Sequence, residues 1–257
     1  METAVRDKVV LVTGASSGIG RATALAYAAD GARVAVTFHD NKDGADETAR
    51  LVREAGGSAL VVRYDLTDLE SIRAAVDAVV SEWGGIDVLV ASAIAWSDGI
   101  PRPGRPMPKF EDVPSATWQE VLRTTVDGVY HTIQAAVPAM RGREWGRIVM
   151  MSCGLAEYGM VGGTAYSAAK AALLGMARSL AWELAPESIL VNVVLPGQTL
   201  TENVVRFAPP QALEAKAKTL ASGKLSVPSD VANAVLFLGS AANGNITGQA
   251  LRFTGGA

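Results

Sequence analysis

Tyr166-Ser167-Ala168-Ala169-Lys170 sets a phenol and an ammonium four residues apart in a stretch that reads as helix. Side chains at i and i+4 share one helical face. An ammonium beside a phenol favours the phenolate and lowers its pKa, so the pair suits giving or taking a proton near neutral pH. Two solvated surface residues could show the same spacing. The pattern gains its meaning from Thr13-Gly14-Ala15-Ser16-Ser17-Gly18-Ile19-Gly20 near the N-terminus. Glycines permit a tight turn, close approach of backbone to a pyrophosphate and close helix–strand packing. A helix beginning there offers free N–H groups to phosphates. The spacing Gly14, Gly18, Gly20 departs from G-x-G-x-x-G.

The elements that must hold these two motifs are legible as periodicity. Lys8 to Thr13 is a short apolar β-branched run ending at glycine, and Ile19 to Ala29 follows with a helical pattern. Further strands are expected at Ala32–Phe38, Ala59–Tyr64, Ile86–Ala91, Arg147–Met151, Ile189–Leu195 and Ala250–Phe253. Helices are expected at about Gly44–Ala55, Asp68–Trp83, Thr117–Met140, Thr164–Leu184 and Ser229–Gly239. Strands alternate with helices, and the strands are near-continuously apolar. That predicts an α/β fold with a Rossmann-type, doubly wound parallel sheet and helices on both faces. No internal repeat or linker breaks the pattern, so one domain is expected over residues 1–257. Ser97 to Pro114 carries five prolines and cannot be helix. It leaves the carboxyl end of a strand, so a loop at about 95–115 is expected to wall a substrate pocket.

Composition narrows the classes. The chain has 257 residues, 49% hydrophobic and 19% charged, with a net charge of −3 and a pI near 5.5. No basic stripe points to nucleic acid. The single cysteine, Cys153, excludes an internal disulfide and suits a reducing cytoplasm. The N-terminal residues have no apolar stretch of signal-peptide type, and no apolar run is long enough to predict a membrane span. No metal is expected.

The glycine turn followed about 150 residues later by Tyr-x-x-x-Lys resembles the short-chain dehydrogenase/reductase family, over nearly the whole chain. Pro196-Gly197-Gln198-Thr199-Leu200-Thr201 resembles that family's nicotinamide loop, and Asp65-Leu66 its adenine-contacting pair. Ile246-Thr247-Gly248-Gln249 and Gly255-Gly256 resemble its C-terminal signature. The resemblance implies a nicotinamide cofactor held by Gly14, Ser16, Ser17, Gly18, Ile19, Gly20, His39, Asp65, Leu66, Ala93, Tyr166, Lys170, Pro196, Gly197, Thr199 and Thr201. An acid closing the second strand would take a ribose 2′-hydroxyl and favour NAD. Phe38 stands there, with His39, Lys42 and Arg21 as nearby basic groups, so NADP(H) is favoured. Asp40 bending back to the ribose would instead favour NAD(H).

By the same resemblance, Tyr166 is the general acid for carbonyl reduction and Lys170 binds the nicotinamide ribose and depresses the Tyr166 pKa. Three departures stand out. The family's substrate-binding serine lies thirteen residues before the tyrosine, where this chain has Cys153, with Ser152 adjacent. A thiol is a weak donor beside a hydroxyl; Ser152 or Cys153 is left to face the substrate. The family's helix asparagine falls at Thr125, and its N-N-A-G reads Ala91-Ser92-Ala93-Ile94. Trp96, Tyr158, Met160 and Phe207 fall in segments that the resemblance places around the pocket mouth, and residues 202–222 resemble its lid. Together they imply reduction of a hydrophobic, aromatic, polyketide-like ketone, and the long helices Thr117–Met140 and Thr164–Leu184 resemble the pair that forms the family's tetramer interface, which implies a homotetramer or homodimer. The alternatives are a dehydratase or epimerase on the same platform, and an NADP(H)-binding protein with little activity. In that family, enoyl reduction is associated with a wider tyrosine–lysine spacing than this chain has.

Overall fold

The computed structural model describes residues 3–101 and 108–256. Seven strands form one parallel sheet in the order β3-β2-β1-β4-β5-β6-β7. They are β1 (Val9–Val12), β2 (Arg33–Phe38), β3 (Ser58–Arg63), β4 (Val88–Ala91), β5 (Gly146–Met151), β6 (Ile189–Pro196) and β7 (Ala250–Phe253). The order reverses between β1 and β4, where a crevice opens beyond the carboxyl ends of the strands.

The near-continuously apolar central strands are explained by burial on both faces. Along β1, Val9 and Leu11 point to one side and Val10 and Val12 to the other, and all four are buried. The first side packs on α3 (Leu69–Trp83), α5 (Gly128–Met140) and α7 (Thr164–Leu184), through Val76, Val79, Ile133, Leu173 and Ala177. The second packs on α1 (Gly18–Ala29), α2 (Lys42–Glu54) and α10 (Pro228–Leu238), through Ala24, Tyr27, Ala45, Val52, Val231 and Val235. At the amino ends of the strands, the buried Asp87 accepts the Val9 N–H at 2.7 Å and meets Arg143 at 2.9 and 3.0 Å. A buried carboxylate needs such partners, because an unpaired one is costly in a low-dielectric interior.

The helix expected over 117–140 is broken in register. It begins as α4 (Ser115–Leu122), widens into a π-turn at Arg123–Asp127 and continues as α5. The apolar period is almost the same in both helix types, so composition does not reveal the extra residue; such turns recur at functional sites. A four-residue helix, α6 (Leu155–Tyr158), was not expected. The lid-like segment carries α8 (Glu202–Phe207) and α9 (Pro210–Lys218). In the proline-rich loop the described residues hold one three-residue 3-10 turn at Phe110–Asp112, while Ser97 and Ile100 are buried. Pro103, Gly104 and Pro106 lie outside the described residues.

Candidate active site

The glycine turn joins β1 to α1. Gly14 has φ +70°, and a Cβ there would stand 2.8 Å from Ala93 Cα; a Cβ on Gly20 would stand 2.2 Å from the Gly14 carbonyl oxygen. Side chains are thus excluded at both places by backbone. Two threonine hydroxyls fix the turn. Thr13 Oγ1 accepts the N–H groups of Ser92 and Ala93 at 3.0 Å each, tying the turn to the β4 exit. Thr37 Oγ1 accepts the Gly14 N–H at 2.9 Å. The N-cap residue Ser17 makes no side-chain cap, and α1 has no acid in its first turn. Its leading N–H groups therefore carry a partial positive charge that no residue of the helix itself offsets. Ile19 packs into the core below, while the Ser16 carbonyl accepts from Arg21 Nη2 at 2.7 Å.

A carboxylate already sits at that helix end. Glu202, the first residue of α8, accepts the Gly18 N–H at 3.0 Å and lies 3.2 Å from Arg21 Nη1. The place therefore accommodates an anion, and with Gly14 and Gly20 stripped of side chains it fits a dinucleotide's pyrophosphate. Nothing local in the sequence links residues 184 apart, so this contact was not foreseen.

The second strand ends at Phe38, and His39 beyond it is held between two acids. Its Nδ1 is 2.9 Å from Asp40 and its Nε2 is 3.2 Å from Asp65. Asp65 is partly desolvated, yet hydrogen bonds from the Thr67 N–H and hydroxyl, and His39, hold its carboxyl below the usual range. Lys42 is paired with Asp46 at 2.6 Å, and Arg21 is taken up by Ser16, Thr48 and Glu202. The basic groups counted from the sequence therefore do not form a clamp. Leu66 is buried against Gly128.

On the far side of the switch point, β5 and α7 present the proton-handling groups. The i,i+4 spacing on α7 brings Lys170 Nζ to 5.7 Å from the centre of the Tyr166 ring. Lys170 is buried, and its Nζ donates to the Met151 carbonyl at 2.8 Å. Burial lowers the Lys170 pKa to about 8. The expected lowering of the Tyr166 phenol is reversed: burial first, and then Cys153, push it well above its ordinary value. Desolvation of the phenolate is the largest cause.

Ser152 and Cys153 part company at the end of β5. The Ser152 N–H continues the ladder to the Val194 carbonyl at 2.9 Å, while its buried hydroxyl donates to the Lys170 carbonyl at 2.9 Å. Ser152 thus turns its hydroxyl to the α7 backbone. Cys153 lies beside Tyr166, and its carbonyl accepts the Ala156 N–H at 3.1 Å at the start of α6. Burial pushes the Cys153 thiol up despite Lys170, the nearby backbone N–H groups and Tyr166, so the sulfur is held as a thiol. Thr125 is buried within the π-turn.

Pro196 closes β6 opposite Phe253, and Gly197 packs closely on Thr254. The Thr199 hydroxyl is turned back to the Gly197 carbonyl at 3.1 Å, and Thr201 caps α8 by accepting the Val204 N–H at 3.3 Å. Of the four aromatic and thioether candidates, Tyr158 lies against Gly154, beside Cys153, and lines a cavity of about 270 Å³ with Glu157, Lys216, Arg252 and Thr254. Trp96, Met160 and Phe207 are half-exposed on three separate segments. Lys216 and Arg252 were missed by sequence reasoning, since lid and edge-strand cations read as solvated surface. Among the described residues no group of His, Cys, Asp or Glu could hold a metal ion, and no helix is long and apolar enough to cross a membrane.

The family described as Enoyl-(Acyl carrier protein) reductase matches residues 14–257. The chain is 38% identical over 256 residues to cis-4-hydroxycyclohexanecarboxylate dehydrogenase of Sinomonas cyclohexanicum, covering 100% of this chain and 98% of that protein. Its fold is similar to a 7 alpha-hydroxysteroid dehydrogenase complexed with NADH and 7-oxo glycochenodeoxycholic acid, with TM-score 0.89, 31% identity and coverage of 100% and 96% of the two chains. It is also similar to a short chain dehydrogenase of Burkholderia cenocepacia J2315 in complex with NADP, with TM-score 0.86, 33% identity and 98% coverage of both chains. The glycine turn at the switch point and the Tyr166–Lys170 pair on α7 agree with these likenesses: the chain belongs to the short-chain dehydrogenase/reductase family and is an NAD(P)-dependent oxidoreductase acting between alcohols and carbonyls.

Proposed function

We propose that this protein reduces the ketone of a hydrophobic, aromatic, polyketide-like substrate to an alcohol, with NADP(H) as its favoured cofactor. The carrying observation is the Tyr166–Lys170 pair on α7, with Lys170 Nζ 5.7 Å from the centre of the Tyr166 ring and Cys153 beside it at the end of β5. A nicotinamide, when bound, would supply a hydride for the carbonyl carbon. Tyr166 then gives its hydroxyl proton to the carbonyl oxygen as that oxygen gains charge. Burial holds the phenol protonated at neutral pH, which is the form that reduction requires. Lys170, charged below about pH 8, steadies the phenolate left behind. Cys153 stands where a donor to the carbonyl oxygen belongs, and its thiol gives a weaker hydrogen bond than a hydroxyl would.

The hydrophobic substrate is supported by Tyr158 beside Cys153 and by the exposed apolar side chains of Trp96, Met160 and Phe207. The favoured NADP(H) rests on the absence of an acid at Phe38; His39 is the basic group closest to that strand end, and Asp40 and Asp65 oppose it. Comparing kcat/KM for NADPH and NADH tests that preference. A cytoplasmic homotetramer formed through the α4–α5 and α7 faces completes the proposal.

Oxidation of NADPH with a panel of aromatic and aliphatic ketones tests the reaction. Turnover is expected, with Tyr166→Phe reducing kcat by about 100-fold or more while cofactor binding persists. Full ketone reduction by that variant would refute the assigned acid. The thiol at position 153 favours one second reading, an NADP(H)-binding protein with little activity; tight cofactor binding without turnover of any ketone would support it.

A further inference from the structure

We infer that Glu202 is an internal anion that competes with the cofactor's pyrophosphate for the start of α1 and thereby couples the lid helices to cofactor loading. The inference rests on the cofactor site proposed above and concerns its regulation by this chain's own residues. The geometry is specific. One oxygen of Glu202 takes the Gly18 N–H at 3.0 Å and the other lies 3.2 Å from Arg21 Nη1. These are groups of the first turn of α1, whose N–H donors have no side-chain cap and no acid from their own helix. A carboxylate from elsewhere is what such a helix end attracts.

The mount is rigid on one side and loose on the other. Arg21 is fixed by the Ser16 carbonyl at 2.7 Å and by Thr48 at 3.0 Å. Glu202 is more than half exposed and belongs to the six-residue α8, which has no buried residue. Its neighbour Thr201 presses a methyl group to 3.2 Å from the Cβ position of Gly18. The Glu202 bond thus pins α8, and through it the lid, against the glycine turn. A pyrophosphate and a carboxylate cannot share the Gly18 N–H, and their like charges repel. Cofactor arrival displaces Glu202 and releases α8; cofactor loss lets the carboxylate return.

The test compares wild type with Glu202→Gln and Glu202→Ala, each first checked for an unchanged thermal midpoint and circular dichroism. Dissociation constants for NADPH and NADH are read by fluorescence titration without substrate. Both variants are expected to bind roughly three- to tenfold more tightly, the scale of losing one partly exposed charge contact at a helix end. In cofactor-free protein, tryptic cleavage at Arg206, Lys216 and Lys218 is expected to run several-fold faster in both variants. Unchanged or weaker cofactor binding in both variants, or unchanged cleavage rates, would overturn the inference. Should wild type bind neither nicotinamide, the cofactor reading would fall, and the cleavage comparison would still decide whether Glu202 pins α8.

Discussion

Cys153 and Ser152 are neighbours in sequence with opposite surroundings. The extended backbone at the end of β5 sends alternate side chains to opposite faces, so one residue's shift decides which group meets Tyr166. If Cys153 is the group that polarises the substrate carbonyl, Cys153→Ser should raise kcat for ketone reduction by up to about tenfold, the range of one improved hydrogen bond. Steady-state kinetics should show no such gain for Cys153→Ala, and equal rates for the two variants would remove the thiol from the mechanism. Lys170 gives a second residue-scale prediction. Its folded pKa of about 8 lies below the ordinary 10.5. Between those values the unfolded chain holds a proton that the folded chain has released, so this group makes stability rise with pH across that window. Below it, the buried ammonium is a standing cost. Lys170→Met should therefore be more stable than wild type near pH 7, with the gap narrowing by on the order of 1–2 kcal/mol towards pH 9.5. Denaturant unfolding at a series of pH values checks it; a gap independent of pH would show that Lys170 does not titrate there.

At the level of elements, the glycine turn is the most constrained part of the site. A Cβ on Gly20 would stand 2.2 Å from the Gly14 carbonyl oxygen and 3.0 Å from Ala15 Cα, both backbone atoms. Gly20→Ala should cost about 2–3 kcal/mol of stability and weaken cofactor binding, as measured by chemical denaturation and titration; a variant equal to wild type in both would mean the turn is looser than its geometry. This turn was legible in the sequence because glycine types, spacing and the flanking apolar runs all act locally. The strands were legible for the same reason: a run such as Val9 to Val12, buried on both faces, has no polar residue to blur its ends. The α7 limits, Thr164 and Leu184, coincide with those expected. The π-turn at Arg123–Asp127 was not legible, because one added residue leaves the apolar stripe nearly in phase. Nor could local patterns foretell that Glu202 would reach Gly18, that His39 would settle between Asp40 and Asp65, or that burial would lift the Tyr166 phenol. Each depends on which long-range neighbour wins a contact.

For the molecule as a whole, the exposed apolar side chains bear on assembly. Trp182 on α7 is 87% exposed, while Tyr130 on α5 and Trp118 on α4 are partly so. If the tetramer forms through these helices, Trp182→Glu should shift sedimentation towards smaller species with the monomer fold intact by circular dichroism. A wild-type chain that sediments as a monomer would sink the assembly. The parallel run of all seven strands has another outcome, because it gives the molecule two unlike ends. The glycine turn, Cys153, Tyr166 and the α8 latch gather where the strands finish, whereas Asp87 with Arg143 and Lys8 ties the chain together where β1 and β4 start. Sequence change should therefore sort by pole: substitutions beneath the sheet are felt as lost folding, and those above it as altered turnover, so the enzyme can drift towards new substrates at one pole while the other keeps the scaffold unchanged.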